Sequence, residues 1–323
     1  MKAIVIREPG GADVLELRDV PDPTPVRGEV RVRVRATAVN RADILQRLGA
    51  YPAPPGSPKD IPGMEYSGEI DACGEGVADF AVGDRVFGIA GGGTYAERVV
   101  LPARTVARMP NALSFTAGAA VPEVFLTAYD ALVQAGLRPG ERVLVSAVGS
   151  GVGTAAVQIA RALGARPYGT ARTQDKIERA KTLGLVDGVV PRDGRFAEGV
   201  AKIAGEVDVV LELVGGAYVA EDLACLAPRG RIVVIGVMSG ARADVDLAAL
   251  MRKRATLVGT MLRSRPLEEK IVAARMLERE LGPLFAEGKL APVVDRVLPL
   301  ARAGEAHEAM QKNATFGKVV LEI

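Results

Sequence analysis

A chain of 323 residues exceeds what one ordinary hydrophobic core holds and fits two domains of about 150 residues each. Hydrophobic residues at 49% and charged residues at 25% are ordinary for a soluble globular protein, and a formal charge of +2 sets up no general basic field for nucleic acid or an anionic membrane. The opening Met1-Lys2-Ala3-Ile4-Val5-Ile6-Arg7-Glu8 is charged too soon for an export signal. No apolar run approaches the roughly 20 residues of a transmembrane helix, and Cys73 and Cys225 stand alone, so the expected location is the cytoplasm.

Residues 1 to about 110 read as β-rich. Ala3–Arg7 and Val14–Leu17 predict two short strands, the second ended by Pro21, Pro23 and Pro25. Val30-Arg31-Val32-Arg33-Val34-Arg35 alternates with period two, which sets valines on one face and arginines on the other. The arginine face predicts the solvated outside of an antiparallel sheet rather than an anion-binding stripe. Thr37 to Leu48, a short helix or loop, carries Asn40, Arg41, Asp43 and Gln46. The loop Ala50–Gly56 then holds Tyr51 among prolines that fix the backbone, which suits the wall of a pocket better than a linker. Further strands are predicted at Gly63–Ile70, Val82–Phe87 and Tyr95–Leu101. So many short strands broken by glycine and proline predict a partly closed, barrel-like domain.

From Ser114 the pattern changes. Ser114 is placed to N-cap a short helix through Ala120, Pro122 interrupts it, and Glu123–Ala135 has apolar residues at helical spacing. Strands at Val143–Ala147, Pro167–Ala171, Gly188–Val190, Val207–Leu213, Arg231–Gly236 and Thr256–Thr260 then alternate with helices, the pattern of a parallel sheet covered on both faces. A helix is predicted from Pro266 to about Glu287. The last stretch, Val294–Leu298, Arg302–Met310 and Lys318–Ile323, returns to strand-rich character and to the first domain. The expected boundaries are therefore 1–120 and 286–323 for the β-rich domain and 121–285 for the doubly wound one. The final strand of the parallel series, at Thr256–Thr260, is free to pair edge to edge with a second copy, which predicts a homodimer.

One stretch carries most of the chemistry. Between the strands Val143–Ala147 and Pro167–Ala171 lie the turn Gly149-Ser150-Gly151-Val152-Gly153 and a helix ending near Leu163. In such a βαβ unit the pyrophosphate of a dinucleotide meets the helix N-terminus. Gly149 and Gly151 permit backbone to approach phosphate, and Gly153 lets the helix pack on the sheet. The spacing departs from the plain G-x-G-x-x-G because Thr154 takes the last glycine position. About 20 residues on, the acidic residue that would hold an NAD ribose is missing. Arg172 and Lys176 stand there instead, cations misplaced at a helix start unless a 2′-phosphate neutralises them. NADPH is the expected cofactor.

Metal chemistry is weighed by subtraction. A catalytic zinc takes three protein ligands from His, Cys and carboxylate. One histidine, His307, and two unclustered cysteines do not supply them, so no metal is expected and His307 is assigned to the surface or to packing. No G-x-S-x-G elbow or histidine relay is evident. What remains is hydride delivery in a shaped pocket, with protons from water.

At these residues the chain resembles the medium-chain dehydrogenase/reductase superfamily over essentially its whole length, and within it the zinc-free quinone oxidoreductase branch. The matching stretches are Ala38-Val39-Asn40-Arg41-Ala42-Asp43, Gly63-Met64-Glu65, Val82-Gly83-Asp84-Arg85-Val86, Pro122-Glu123-Val124-Phe125-Leu126-Thr127-Ala128 and Ser150-Gly151-Val152-Gly153-Thr154. Met261-Leu262-Arg263-Ser264-Arg265 is similar to the subgroup of stress-inducible NADPH quinone oxidoreductases of animals. The resemblance implies an α/β protein: a Rossmann doubly wound parallel sheet plus a GroES-like β-rich domain, with the active site in the cleft between them. In zinc-dependent relatives the positions of Asn40, Met64 and Glu123 hold the catalytic metal. Asparagine and methionine do not replace the usual cysteine and histidine, and the cysteine-rich structural-zinc lobe is absent from the sequence.

The same resemblance implies residue roles. Asn40 and Thr127 are expected near the nicotinamide, Ser150 to Gly153 (Gly151 and Val152 included) at the pyrophosphate, and Arg172 and Lys176 at the 2′-phosphate. Gly236, Val237 and Met238, with Leu262, Arg263 and Ser264, are expected along the nicotinamide, and Lys318 to close the site. Tyr51 matches a loop tyrosine that contacts quinone, with anchoring of the proline loop as its other role. Asn40, Met64 and Thr127 complete the substrate border. Where many relatives have a tyrosine beside the adenosine phosphate this chain has Pro191, which leaves compensation by Arg192 or a looser cofactor specificity as the two expectations. The implied activity is reduction of a quinone by NADPH. The alternatives are reduction of an activated C=C bond in an enone or enoyl thioester, with Tyr51 as proton donor, and an NADPH-bound RNA-binding or structural protein, which the near-neutral charge disfavours.

Overall fold

The computed structural model describes all 323 residues, Met1 to Ile323, in two compact units. The first joins Met1–Leu126 to Leu262–Ile323, and the second is Thr127–Met261. The chain therefore re-enters the first unit at Leu262 rather than at 286, and leaves it after Leu126 rather than after 120. Packing within the first unit accounts for the difference. Phe285 meets Phe125 edge-on, ring centroids 4.8 Å apart. From the helix Leu267–Met276, Glu268 pairs with Arg104 and Arg275 donates to the Val106 carbonyl.

In the first unit the strands Val294–Pro299, Lys318–Glu322, Glu29–Ala38, Glu65–Cys73, Arg85–Ile89 and Ala107–Arg108 lie in that order in one sheet, and Arg98–Pro102 also pairs with Glu29–Ala38. The ten-residue strand Glu29–Ala38 is its axis: on one edge its first half pairs with Arg98–Pro102 and its last residues with Lys318–Glu322. A register shift between Val34 and Ala36 lets one strand turn the corner of a barrel-like sheet. Val30, Val32 and Val34 are buried, each contributing about 1.5–3 kcal/mol relative to exposure. The arginines between them face outward, as the alternation predicts, and pair with neighbouring acids: Arg31 with Asp71 at 2.7 Å, Arg33 and Arg35 with Glu69 at 2.7 and 3.3 Å. Exposed pairs of this kind add little stability. They do mark the face as structural.

The second unit is a six-stranded parallel sheet, in the order Asp187–Val189, Arg166–Thr170, Arg142–Val145, Val207–Glu212, Leu226–Val234, Thr256–Gly259. In chain order this is 3-2-1-4-5-6, which reverses direction beside Arg142–Val145 and so opens a crevice at the C-terminal ends of the strands. The apolar Val143-Leu144-Val145 and Val209-Val210-Leu211 are fully buried, as a strand covered on both faces requires. Thr256–Gly259 is the outer strand, with Leu257 40% exposed. No helix is long and apolar enough to cross a membrane.

Candidate functional site

Three strand ends in the first unit bring distant residues to one point. Glu29–Ala38 runs out into Val39 and Asn40, Glu65 opens its strand, and Lys318 opens another. Ala38 pairs with Val320 and Thr37 with Tyr66, so the register of the sheet sets the three side chains together. Lys318 and Glu65 are almost fully buried, and Lys318 Nζ lies 2.6 Å from Glu65 Oε1. The ammonium also donates to Asn40 Oδ1 at 2.7 Å and to the Val39 carbonyl at 2.9 Å, which uses all three of its protons. Asn40 Nδ2 donates to Glu65 Oε1 at 2.8 Å, so the amide orientation is fixed from both sides. The other oxygen, Glu65 Oε2, accepts the Glu123 N–H at 2.9 Å in the first turn of the helix Pro122–Gln134, where the helix dipole favours an anion. A buried ion pair holds only with such complete geometry.

Around this core lie two further carboxyls. Asp43 caps the helix Arg41–Arg47 with Asn40 in a reciprocal capping box and accepts the Gly63 N–H at 3.2 Å. Burial pushes its carboxyl up to about 6, against the lowering effect of those bonds. Glu123 Oε2 is buried without a partner. Burial, and after it the charge of Glu65, pushes the Glu123 carboxyl up to about 8, so it holds its proton at neutral pH. His307 is buried rather than at the surface. Its Nε2 lies 3.2 Å from the Tyr95 hydroxyl, its Nδ1 3.5 Å from Arg47 Nη1, and burial lowers it to about 3. It packs as a neutral ring.

Arg263 is 3% exposed and donates to Gly91 O at 2.9 Å and Gln46 Oε1 at 2.6 Å. Its guanidinium stacks over Tyr51, 5.0 Å from the ring centroid, so the proline loop is held through this tyrosine. Met64 is buried immediately before Glu65, Leu262 is buried and Ser264 exposed. The set Asn40, Met64, Glu123 does not fit a zinc ion. The Asn40 oxygen already faces an ammonium, its nitrogen is a donor, and a second cation beside Lys318 Nζ would meet repulsion rather than ligands.

In the second unit the glycine turn is as the sequence implies. Ser150 caps the helix Gly151–Ala162, its Oγ accepting the Gly153 N–H at 3.0 Å. A Cβ on Gly153 would stand 2.4 Å from the Ala147 carbonyl, so only glycine fits there. Gly149 and Val152 lie within and just past the turn. Arg172 is exposed just past the strand Arg166–Thr170, close enough to Tyr218 to bias its hydroxyl, and Lys176 is half-buried in the first turn of the helix Gln174–Thr182. Arg192 is exposed in a tight turn after the adjoining strand Asp187–Val189. All three cations thus follow the C-terminal ends of two neighbouring parallel strands. Gly236 packs against the Leu213 carbonyl, where a Cβ would come within 2.7 Å, and Val237 and Met238 beyond it are half-exposed. Thr127 is buried at the start of this unit, four residues along its helix from Glu123.

Sequence reasoning missed Glu65, Glu212 and Asp222. Glu212 ends the strand Val207–Glu212 and its Oε1 accepts the N–H groups of Val214 and Gly215. Asp222 is wholly buried, and burial with the neighbouring Glu212 charge pushes its carboxyl well above the usual range. An acid closing an apolar strand before Gly215-Gly216 was the available signal. Glu65 had none beyond its motif, because its partners lie far away in sequence.

Residues 26–111 match the family model "Alcohol dehydrogenase GroES-like domain", and residues 151–278 match "Zinc-binding dehydrogenase". The quinone oxidoreductase of Homo sapiens is 34% identical over 331 residues, covering 99% of this chain and 97% of that protein. This chain belongs to the quinone oxidoreductase branch of the medium-chain dehydrogenase/reductase superfamily. The crystal structure of Escherichia coli quinone oxidoreductase complexed with NADPH matches with a TM-score of 0.89 at 31% identity, covering 100% of both chains. The chain is also 41% identical over 302 residues to polyketide synthase GfsB of Streptomyces halstedii, covering 92% of this chain and spanning only 5% of that protein's length. For this member of the branch, the first unit is the GroES-like domain and the second the Rossmann domain, as expected. It is an oxidoreductase that uses a nicotinamide cofactor.

Proposed function

We propose that the protein is an NADPH-dependent quinone oxidoreductase that works without a metal. The observation that carries the reading is the Lys318–Glu65–Asn40 cluster, in which the Asn40 oxygen, at one of the positions that zinc-dependent relatives use for the metal, is already taken by a protein ammonium. When bound, the nicotinamide supplies the hydride. The turn Gly149–Gly153 and the N-terminus of Gly151–Ala162 offer N–H groups to a pyrophosphate. Arg172 and Lys176, with Arg192 on the next strand, offer positive charge to a 2′-phosphate. Val237 and Met238 are apolar, half-exposed side chains suited to cover by a ring. Asn40, Thr127, Met64, Leu262, Arg263, Ser264 and Lys318 are assigned to the nicotinamide and acceptor side. Tyr51, its ring under Arg263, is both loop anchor and acceptor wall. Glu123, protonated at neutral pH, is a proton source that the sequence reading did not foresee.

The test is steady-state NADPH oxidation with a panel of quinones, enones and an enoyl thioester. Quinone turnover is the expected result, and good enone turnover with none for quinones overturns the assignment. The similarity to a stretch of a polyketide synthase favours an enoyl thioester as the second reading. The exposed outer strand Thr256–Gly259 supports pairing of two copies into a homodimer, which sedimentation velocity tests.

A further inference from the structure

Two buried carboxyls lie behind the loop that carries Val237 and Met238. Glu212 ends the strand Val207–Glu212, Asp222 sits on the helix Tyr218–Cys225, and both are fully buried. Their side chains meet each other. Glu212 Oε1 accepts two N–H groups, from Val214 and, at 2.5 Å, from Gly215, while Glu212 Oε2 and both Asp222 oxygens have no N–H or hydroxyl donor. No cation answers the pair. Arg172 acts on the Tyr218 hydroxyl at its edge, and Lys253 is spent on the Ala224 and Leu226 carbonyls. The other groups around it are the Cys225 thiol, the Ser146 hydroxyl, held between the Leu211 carbonyl and the Leu213 N–H, and Glu221, whose carboxylate accepts the Phe196 and Ala197 N–H groups.

Two carboxylates in contact, away from water and with three oxygens lacking donors, repel; one proton between them removes the repulsion and supplies a donor. The surrounding donors fix where it sits. Two N–H groups favour charge on Glu212 and none reaches Asp222, so Asp222 is the acid and Glu212 the carboxylate. Glu212 Oε1 then keeps charge-assisted bonds to the Val214–Gly216 turn, roughly twice as strong as neutral ones. That turn is locked to the next loop. The Gly216 N–H donates to the Gly240 carbonyl at 3.1 Å, the Ser239 N–H to the Val214 carbonyl at 2.7 Å, and Ser239 Oγ to the Gly215 carbonyl at 2.8 Å. The Glu212 carbonyl itself accepts the Ile235 N–H at 2.7 Å. Gly215 has φ +74°, and a Cβ there would stand 2.8 Å from Val237 Cα, so the two loops have no play between them.

We propose that Asp222 is a positioning residue for the cofactor: by donating its proton to Glu212 it holds the Val214–Gly216 turn, and through that turn it sets Val237 and Met238 against the nicotinamide. The proposal rests on the assignment of Val237 and Met238 made above, and on no particular acceptor. Burial, and after it the Glu212 charge, raises Asp222, which extends upward in pH the range over which it keeps the proton. Without that proton, or with a side chain that has none, Glu212 must take up a proton itself or leave the N–H groups it holds. Either change weakens its grip on the turn.

Two variants separate the proton from the shape. Asp222→Asn keeps the size and offers Glu212 an N–H that does not ionise, and Asp222→Leu keeps the size without a donor. Dissociation constants for NADPH and for NADH are read by fluorescence titration, and amide hydrogen exchange is read on the full chain without cofactor. Asp222→Leu is expected to weaken both dinucleotides roughly tenfold, the scale of one charge-assisted hydrogen bond, and to speed exchange at 213–216 and 236–240. Asp222→Asn is expected to match the wild type at neutral pH and to keep, toward alkaline pH, affinity that the wild type loses. Unchanged affinity and exchange in Asp222→Leu, an equal loss in Asp222→Asn, or exchange that speeds evenly across the second unit overturns the proposal. If Asp222→Leu does not fold, Asp222→Asn decides alone, and a pH dependence parallel to that of the wild type overturns it. Faster local exchange with unchanged affinity instead removes the assignment of Val237 and Met238 to the nicotinamide, which separates failure of that reading from failure of the clamp.

Discussion

In the first unit a buried cation, Lys318, and a buried anion, Glu65, meet at 2.6 Å with an amide oriented between them. In the second unit two buried carboxyls, Glu212 and Asp222, are neighbours with no cation to answer them, and burial raises both. In the first arrangement a cation and an anion answer each other across a direct contact. The second favours protonation instead, because burial and the repulsion of two adjacent carboxylates raise both groups. The difference teaches how each unit meets buried charge: the cluster joins opposite signs, and the pair of like groups is pushed toward its protonated form. Glu123 stands between these regimes, inside the first unit but protonated like the pair.

The largest expected effect comes from removing the cation. Lys318→Met leaves Glu65 buried and unpaired and is expected to lower stability by about 3–5 kcal/mol in denaturant unfolding. A loss near zero would mean that the pair is not the closed unit drawn here. Next is the cofactor edge of the second unit. Arg172→Ala combined with Lys176→Ala is expected to weaken NADPH binding roughly a hundredfold or more while leaving NADH nearly unchanged, because each of the two lost charged contacts contributes about 1.5–3 kcal/mol. Equal losses for both cofactors remove the 2′-phosphate assignment.

Smaller effects follow from the raised carboxyls. Glu123 has a folded value of about 8 against an ordinary 4.5, so its stabilising contribution is full below 4.5 and is lost as pH rises through about 8. Glu123→Gln lacks that loss and is expected to gain on the wild type by ~1 kcal/mol or more between acid and alkaline pH. The same variant should lose the alkaline limb of the pH–rate profile, and parallel profiles would count against Glu123 as proton source. Asp222→Asn should likewise flatten stability on the alkaline side, since that carboxyl is also raised. The smallest effect is Ser150→Ala, about 1 kcal/mol from the lost cap of Gly151–Ala162, read in thermal unfolding.

What the sequence made legible follows the same division. The glycine turn, Ser150 and Arg172 are local features, in which a strand, turn and helix lie within thirty-odd residues and period and spacing reveal them. The alternation of Val30 to Arg35 was equally plain. Glu65, Lys318 and Asn40 meet only through sheet register across the chain, so no window of sequence contains the pair, and Lys318 came only from resemblance. The unit boundaries shifted for a related reason. Helical periodicity places Leu267–Met276 but says nothing of Phe285 packing on Phe125. Elimination left His307 to the surface or to packing, and its burial against Tyr95 and Arg47 required the fold.

The central claim is that a nicotinamide and this chain's own side chains suffice for quinone reduction. Its most direct test is NADPH oxidation with a quinone by protein dialysed against a chelator and shown by elemental analysis to hold no zinc. The account predicts the full rate without metal and no gain on adding zinc. A rate that vanishes on dialysis and returns with zinc would contradict it.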